Sequence, residues 1–305
     1  MARLKLAAFF HSFIFRIMKN ILVPTDFSAE AHHAFRAALQ LAQRAGGTVT
    51  LLHVLALPDQ PRTANFSTFG GPVGGTELPN SHGIDRIFVI KLLEATRQRM
   101  QQLLAEAAQL APGVPVHDLT DQVGVDEAIL KVIERQHIDL VVLGPQHHDA
   151  VERFFASSNT EQMVRLAPCP VLAVKQETNL NEVHDIVFAS SFGAEADRAV
   201  PGLQQVRELF PEARLHLLHV TDGNANQARQ QIDGFIERHQ LAPAEPMLME
   251  AGSISGGIED AARKLGAGLI VVPTHARSAF SRFFQGSIAE KVATHSAQPV
   301  LTFHL

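Results

Sequence analysis

Two pairs of adjacent glycines are the first residues that could do chemistry. Gly70-Gly71 and Gly74-Gly75 lie in a segment that contains several prolines and glycines. Such loops can bind phosphate, because backbone N–H groups without a neighbouring Cβ approach an anion closely. A P-loop also requires a lysine followed by serine or threonine, and no such pair follows these glycines. The segment therefore predicts a flexible loop on the surface.

Histidines form a second group of candidates. His53 and His219 each stand at the end of a strand-like Leu-Leu-His-Val run. Such a repeated position is more typical of a packed or hydrogen-bonded structural residue than of a metal ligand. His147 and His148 are adjacent, and side chains adjacent in sequence point in different directions on a helix or strand. The sequence therefore predicts no metal site.

Motifs for covalent or metal-assisted catalysis are absent. The chain contains no G-x-S-x-G nucleophile elbow, no His-Glu-x-x-His pair and no Walker lysine. Its single cysteine, Cys169, excludes a disulfide framework and an all-cysteine metal site. We predict that the protein is not an enzyme.

Composition narrows the class of protein further. The 305 residues are enough for two domains, and 46% hydrophobic with 19% charged residues is typical of a soluble globular chain. The formal net charge of -5 argues against a nucleic-acid partner, which a basic patch would indicate.

The elements that must position any site occur twice. Four segments recur in the same order, at offsets of 165, 166, 129 and 129 residues. The difference between 166 and 129 means that the first copy holds about 37 extra residues. A repeat this long indicates duplication of a domain, because the units of solenoids are roughly 20–50 residues long. The four pairs are Ile21–Ser28 with Ile186–Gly193, Leu51–Val54 with Leu217–Val220, Glu152–Ser158 with Ser281–Ser287, and Pro170–Leu172 with Pro299–Leu301.

Each copy alternates short apolar strands with amphipathic helices. This pattern predicts a parallel sheet with helices on both faces. In the first copy we predict strands at Asn20–Pro24, Thr48–Leu55, Val114–Leu119, Leu140–Gly144 and Pro170–Lys175, and helices at Ala29–Arg44, Ile84–Leu110, Asp126–Gln136 and Glu152–Leu166. In the second copy we predict strands at Ile186–Ala189, Leu215–Val220, Met247–Glu250, Leu269–Val272 and Val300–His304.

These elements predict the domain boundaries. Domain 1 covers residues 18–176 and includes a long loop at 57–83, and domain 2 covers residues 184–305. Residues 1–17 form an extension outside the repeat. Its apolar core is too short for a transmembrane helix and no small-residue cleavage site follows it, which leaves two interpretations. It is an over-extended reading frame whose natural start is Met18, or a short helix that touches a membrane or a partner.

The repeated residues resemble the universal stress protein family in its tandem form. The resemblance rests on Lys19–Ser28, on both Leu-Leu-His-Val runs and on Ala167–Leu172, and it extends from Met18 to Leu305. It implies two similar α/β domains, each with a five-stranded parallel sheet in the order 3-2-1-4-5. It also implies pairing through the last strands, so we expect an internal pseudo-dimer, with further homodimerisation left open.

The resemblance also implies a nucleotide site. Nucleotide-binding members carry G-x-x-G, nine residues and G-[ST] after the fourth strand, and an Asp after the first strand. The first copy retains Asp26, Gly144 and Ser158, but has His147 and Ser157 in place of glycines. The second copy has Ser191 in place of the Asp and Pro273-Thr-His-Ala276 in place of G-x-x-G, yet keeps Gly286-Ser287. The candidate nucleotide-binding residues are Asp26, Gly144, Ser158, Thr274, His275, Ala276, Arg277, Gly286 and Ser287.

Neither copy holds a complete set, so three functions stay open. The leading prediction is a stress-response binding protein that takes an adenine nucleotide, such as ATP with Mg²⁺, weakly in domain 2. The second is a nucleotide-binding switch with slow turnover, and the third is a dimerisation scaffold without a ligand. The resemblance implies a cytoplasmic setting, a protein partner of unknown kind and no integral membrane association.

Overall fold

The computed structural model describes residues 18–55, 81–122, 124–145, 159–221, 223–274 and 288–305, with side chains from residue 89 onward in the second range. Several sequence predictions lie outside these residues. They are the extension 1–17, the loop up to residue 80, and the candidate site residues Ser158, His275, Ala276, Arg277, Gly286 and Ser287.

The described chain forms two βα units of the same order. The strands are β1 (Asn20–Pro24), β2 (Thr48–Val54), β3 (Val116–Asp121), β4 (Leu140–Leu143), β5 (Val171–Ala173), β6 (Asp185–Ala189), β7 (Arg214–Thr221), β8 (Ala244–Glu250), β9 (Leu269–Thr274) and β10 (Val300–His304). The α-helices are α1 (Ala29–Ala45), α2 (Ser81–Leu110), α3 (Val125–Gln136), α4 (Asn159–Leu166), α5 (Val200–Leu209), α6 (Ala225–His239), α7 (Ile254–Leu265) and α8 (Ile288–His295). Two short 3₁₀ helices cover Leu180–Glu182 and Ala196–Ala199.

Observed element boundaries differ from the predicted ones by a few residues. The largest strand difference is at β8, which begins at Ala244 and not at Met247. Ala244-Glu-Pro246 is not an apolar run, but β8 lies at the edge of the sheet, where a proline is tolerated. Helix α2 begins at Ser81, within the predicted loop 57–83.

All ten strands lie in one sheet of order β3-β2-β1-β4-β5-β10-β9-β6-β7-β8. Each half has the predicted order 3-2-1-4-5, with parallel pairing throughout. The halves meet where β5 pairs with β10 in antiparallel orientation. The predicted α/β pseudo-dimer is therefore confirmed, and its two sheets form one continuous sheet.

Helices cover both faces of this sheet. One apolar layer contains side chains such as Phe35 from α1 and Phe235 from α6, and the other contains Ile129 from α3 and Val292 from α8. Each layer includes residues of both halves. The duplicated unit therefore folds around a core that is continuous across the seam.

The ends of α1 show how local sequence sets the elements. The Ser28 hydroxyl accepts a hydrogen bond from the Ala31 backbone N–H at 3.2 Å, which satisfies one of the free donors of the first turn. Gly46 ends the helix with φ of 61°, a left-handed conformation that glycine adopts without strain. Because Ser28 caps the helix, α1 begins at the next residue, Ala29, directly after the loop that follows β1.

Two negative findings concern the described residues alone. None of the described helices combines the length and the apolar character needed to cross a membrane. Within the same residues, no three His, Cys, Asp or Glu side chains come together in a group that could hold a metal ion.

Candidate functional site

Each half of the sheet has a cleft at the carboxyl ends of its strands. In an open α/β sheet this edge, at the point where the strand order reverses, is where ligands bind. That point lies between β1 and β4 in the first half and between β6 and β9 in the second.

The cleft of the first half is small. It measures about 120 Å³. Polar groups of Thr25, Asp26, Asn159 and Thr160 lie in its lining, together with apolar residues from β2, α3 and β4. Thr25 and Thr160 are themselves buried. This cleft is below the roughly 300–1,000 Å³ that is typical of ligand pockets.

The cleft of the second half is several times larger. It measures about 560 Å³, within the range of ligand pockets. Apolar side chains of Ile254 and Ile258 on α7 and Ile288 on α8 line its sides. Its polar lining comes from Ser190, Ser191, Glu195, His219 and Thr274. A pocket with mainly apolar walls and a few polar groups suits a flat aromatic ring with polar substituents.

The loop after the first strand has the same construction in both halves. The Thr25 hydroxyl accepts a hydrogen bond from the Phe27 N–H at 3.1 Å, and Ser190 accepts one from the Phe192 N–H at 3.2 Å. Phe27 and Phe192 both have positive φ, 66° and 53°, which is uncommon for residues other than glycine. The loop therefore holds the intervening residue, Asp26 or Ser191, at the cleft of its own half.

Asp26 carries the side chain that the resemblance assigns to a nucleotide. It lines the small cleft, and its Oδ1 accepts a hydrogen bond from the Ser28 N–H at 2.9 Å. This turn stabilises the start of α1 in the way that Asp side chains commonly do. Ser191 lines the larger cleft at the equivalent position and places no carboxylate there.

Gly144 lines the small cleft, but packing alone also requires a glycine there. A Cβ at this position would collide with the backbone of Glu30 and Ala31 in the first turn of α1. Pro273 replaces this glycine in the second half, where a 3₁₀ helix at Ala196–Ala199 stands in place of the first turn of α1. The retained glycine is therefore explained by the approach of α1, without a ligand.

The two equivalent histidines have different surroundings. His53 Nδ1 lies 2.7 Å from the Thr25 carbonyl oxygen, and its ring contacts the Phe27 ring at 4.5 Å between centroids, with the two planes tilted by 38°. These contacts agree with the structural role that the sequence predicts for His53. His219 lines the larger cleft, and burial lowers its pKa, which favours a neutral imidazole.

The structure brings together only part of the predicted set. Asp26 and Gly144 both line the small cleft, and Thr274 lines the larger one. The Thr274 carbonyl oxygen accepts a hydrogen bond from the Leu305 N–H at 2.9 Å. The other predicted site residues lie outside the described ranges. Sequence reasoning missed lining residues such as Thr160, Ser190 and Glu195, although the repeat offset would have paired Ser190 with Thr25.

Helices α4 and α8 connect the two clefts. Asn159 and Thr160 at the start of α4 line the small cleft, while Ile288 and Ala289 at the start of α8 line the larger one. The two helices pack against each other across the seam.

The thiol of Cys169 does not contribute to either cleft. Burial, together with the charge of Asp139, raises its pKa to about 12. The thiolate is the reactive form of cysteine, so this raised pKa lowers the reactivity of Cys169 at neutral pH.

Comparisons with known proteins agree with this architecture. The family model described as "Universal stress protein family" matches residues 18–175 and 182–304. A Staphylococcus haemolyticus protein named as a universal stress protein is 28% identical over 163 residues, which cover 52% of this chain and 86% of the relative.

Solved structures extend the match to both halves. The crystal structure of a universal stress protein from Archaeoglobus fulgidus has a TM-score of 0.67 and 19% identity, and the match covers 94% of this chain and 96% of that one. A Pseudomonas aeruginosa structure named as a universal stress protein has a TM-score of 0.61 and 18% identity, with 95% and 94% covered. At such identities the likeness shows the fold alone.

Proposed function

Because the chain belongs to the universal stress protein family, we propose that it is a stress-response binding protein whose second domain takes an adenine nucleotide. The observation that carries this proposal is the difference in size between the two clefts. The second is large enough for a nucleoside, at about 560 Å³ against about 120 Å³ for the first.

The lining of the larger cleft supports this class of ligand. An adenine ring would pack between the apolar side chains of α7 and the end of β7, where Ile254, Ile258 and Val220 lie. His219 and Ser191 supply hydrogen-bonding groups in the same lining, and neutral His219 both donates and accepts. The affinity is expected to be weak, because Ser191 replaces the carboxylate that the family pattern places at this position.

The phosphates would bind where β9 leads towards α8. Thr274 stands at the end of β9, and the proposed contacts are the backbone of Thr274–Arg277, Gly286 and Ser287. A glycine has no Cβ to obstruct an anion, and a serine offers both an N–H and a hydroxyl, which is why these two residue types suit a phosphate site. Mg²⁺ would accompany ATP on its phosphate oxygens, as is usual for this cation.

Calorimetry with Mg-ATP on matched variants tests the assignment. Gly286→Val adds a branched side chain where the anion must approach, so it should abolish binding. Ser158→Ala at the corresponding place of the first copy should leave the affinity unchanged. Full affinity in Gly286→Val together with loss in Ser158→Ala would assign the site to the first domain instead.

The two alternative functions make different predictions. A switch with slow turnover would release phosphate from ATP, and a scaffold would bind no nucleotide while keeping its assembly. Nucleotide measured in the protein as purified, at about one per chain, supports a binding protein or switch. We place the protein in the cytoplasm, with a protein partner still to be identified.

A further inference from the structure

The equivalent histidines near the ends of β2 and β7 differ in their contacts with the loop that follows the first strand of each unit. His53 Nδ1 lies 2.7 Å from the Thr25 carbonyl oxygen, whereas His219 Nδ1 is buried and has no hydrogen-bond partner among the described residues. The Phe27 ring lies 4.5 Å from the His53 ring between centroids, and the equivalent Phe192 lies 6.4 Å from His219. The imidazole of the second half is therefore placed differently against its loop.

The phenylalanines beside the two histidines also have different partners. Phe192 is buried in the core, with its ring centroid 6.0 Å from that of Phe188 and 5.2 Å from that of Phe235. Phe27 is only partly buried, and the guanidinium of Arg99 on α2 lies 5.4 Å from its ring centroid. The two loops share a backbone shape, but the phenylalanine of the second half packs with the core and not closely with its histidine.

The contact at Nδ1 decides which nitrogen carries the proton of a neutral imidazole. A carbonyl oxygen only accepts hydrogen bonds, so a neutral His53 carries its proton on Nδ1 and its Nε2 is an acceptor. At His219 a proton on Nδ1 would be a buried N–H without an acceptor, which folded proteins rarely contain. The proton of a neutral His219 therefore belongs on Nε2, which makes that nitrogen a donor. Burial lowers the pKa of His219 and the Ser191 backbone offsets only part of this effect, so the neutral ring is favoured near neutral pH.

The ring of His219 meets the larger cleft with the side that carries Nε2. His219 is half-buried and belongs to the cleft lining, while its Nδ1 is inaccessible. Apolar side chains of Val220 and Ile258 line the same cleft, and a hydrogen bond is stronger in such surroundings than in water. A ring that enters this cleft therefore meets a fixed donor beside apolar walls.

The other polar side chains of the described lining are less selective. The hydroxyls of Ser190, Ser191 and Thr274 can donate or accept, and an ionised Glu195 only accepts. Among the described lining side chains, His219 is thus the one whose accessible group only donates.

We infer that His219 is a specificity-determining residue of the larger cleft, where its Nε2–H donates to an unprotonated ring nitrogen of the bound base. This inference rests on the proposed function and names the feature that the cleft selects, a purine ring with an accepting nitrogen at that point. A ring that presents a C–H or N–H there leaves the donor unpaired and loses a hydrogen bond.

Calorimetry on the full chain with Mg-ATP and its 1-deaza, 3-deaza and 7-deaza analogues tests the inference. Each analogue carries a C–H in place of one accepting ring nitrogen. One of the three should bind the wild type about five- to tenfold more weakly than ATP, the loss expected for one hydrogen bond. In His219→Leu, ATP itself should weaken by the same factor, and that analogue should then bind as well as ATP. His53→Leu, the equivalent change in the first cleft, should leave the affinity for all four ligands unchanged.

The outcomes separate this inference from the proposed function. Thermal unfolding first confirms that each variant is folded, and His219→Met replaces His219→Leu if the latter does not fold. Equal affinity of the wild type for ATP and all three analogues, or a preference that persists in His219→Leu, would overturn the inference alone. Complete loss of binding in the folded variant would do the same, because it would mean that His219 maintains the shape of the cleft. Absence of ATP binding in the wild type would overturn both.

Discussion

Leu172 and Leu301 lie directly opposite each other at the centre of the β5–β10 ladder, and they are the same residue of the duplicated unit. Their numbers differ by 129, the offset of the last repeated segments. On either side of this pair, Ala173 lies opposite Val300 and Val171 lies opposite Thr302. The 129-residue offset relates Val171 to Val300 and Ala173 to Thr302, so it converts one of these pairs into the other. The seam is therefore isologous, as in a twofold homodimer, although it joins two parts of one chain.

This symmetry predicts the behaviour of the first domain on its own. A fragment of residues 18–176 would expose the edge of β5 and the buried side chains beside it, which is unfavourable in water. We expect it to form a homodimer through β5, with Leu172 facing its own copy, in sedimentation or light-scattering measurements. Leu172→Lys should shift the fragment towards monomer or unfolded chain. A fragment of native sequence that stays a stable monomer at micromolar concentration would contradict this prediction.

Gly144 allows a test of packing against ligand binding. Gly144→Ala would place a Cβ against the backbone of Glu30, so we expect a loss of roughly 1–3 kcal/mol in the free energy of unfolding, the usual cost of overpacking. Gly252→Ala is the matched control, because a Cβ there meets nothing within 4 Å and should change stability by no more than about 0.5 kcal/mol. Urea denaturation measures both.

The nucleotide affinity of Gly144→Ala completes this test. It should equal that of the wild type, since the proposed site is in the other domain. Unchanged stability with lost nucleotide binding would instead identify Gly144 as a ligand residue.

A charged cluster at the amino ends of the strands of the second domain, away from the cleft, predicts that the stability of the fold depends on pH. Asp185 accepts hydrogen bonds from Arg214 at 2.8 Å and His216 at 2.7 Å, and His216 lies 3.4 Å from Glu245 on β8. Burial alone would raise the pKa of Asp185, but the hydrogen bonds and charges of Arg214 and His216 outweigh it and lower the pKa below its ordinary value. A carboxyl group whose pKa is lower in the folded than in the unfolded state stabilises the fold at pH values above its unfolded-state pKa. This stabilisation is lost as the pH falls through the folded-state pKa.

Asp185→Asn should therefore destabilise the protein near neutral pH and less so below about pH 3. Urea denaturation at about pH 6 and about pH 2.5 measures the difference. Asp233→Asn breaks an exposed pair with Arg229 and should cost at most about 1 kcal/mol at either pH. If Asp185→Asn lost the same free energy of unfolding at both pH values, the charge of the Asp185 carboxylate would not be the source of the stabilisation.

The repeat and the apolar strands were sufficient to predict most of the fold. Strands such as β1 and β6 are short, apolar and equivalent in the two copies, so their order and pairing follow from the family pattern. The sheet is continuous because β5 pairs with β10 around Leu172. The predicted pairing of the last strands of the two copies implies this seam.

The site was harder to predict, because its properties depend on how helices approach the strands. Gly144 matches a nucleotide motif, yet its neighbour is the backbone of α1. Ala196 of the 3₁₀ helix Ala196–Ala199 lines the second cleft, and this short helix is not among the elements that the sequence predicts. An ion pair between Arg165 on α4 and Glu290 on α8, 3.1 Å apart, joins residues 125 positions apart on different copies, so only tertiary structure reveals it.

The most direct test of the account compares one substitution at equivalent positions of the two clefts. Val125 and Ile254 are related by the 129-residue offset, line the first and second cleft respectively, and are 37% and 48% exposed, so a larger side chain there should not disturb the core. Calorimetry with Mg-ATP on the full chain should show about one site in the wild type. Ile254→Trp fills the second cleft and should lower the affinity at least tenfold, whereas Val125→Trp should leave it unchanged. Lost binding in Val125→Trp with full affinity in Ile254→Trp would contradict the assignment of the site to the second domain.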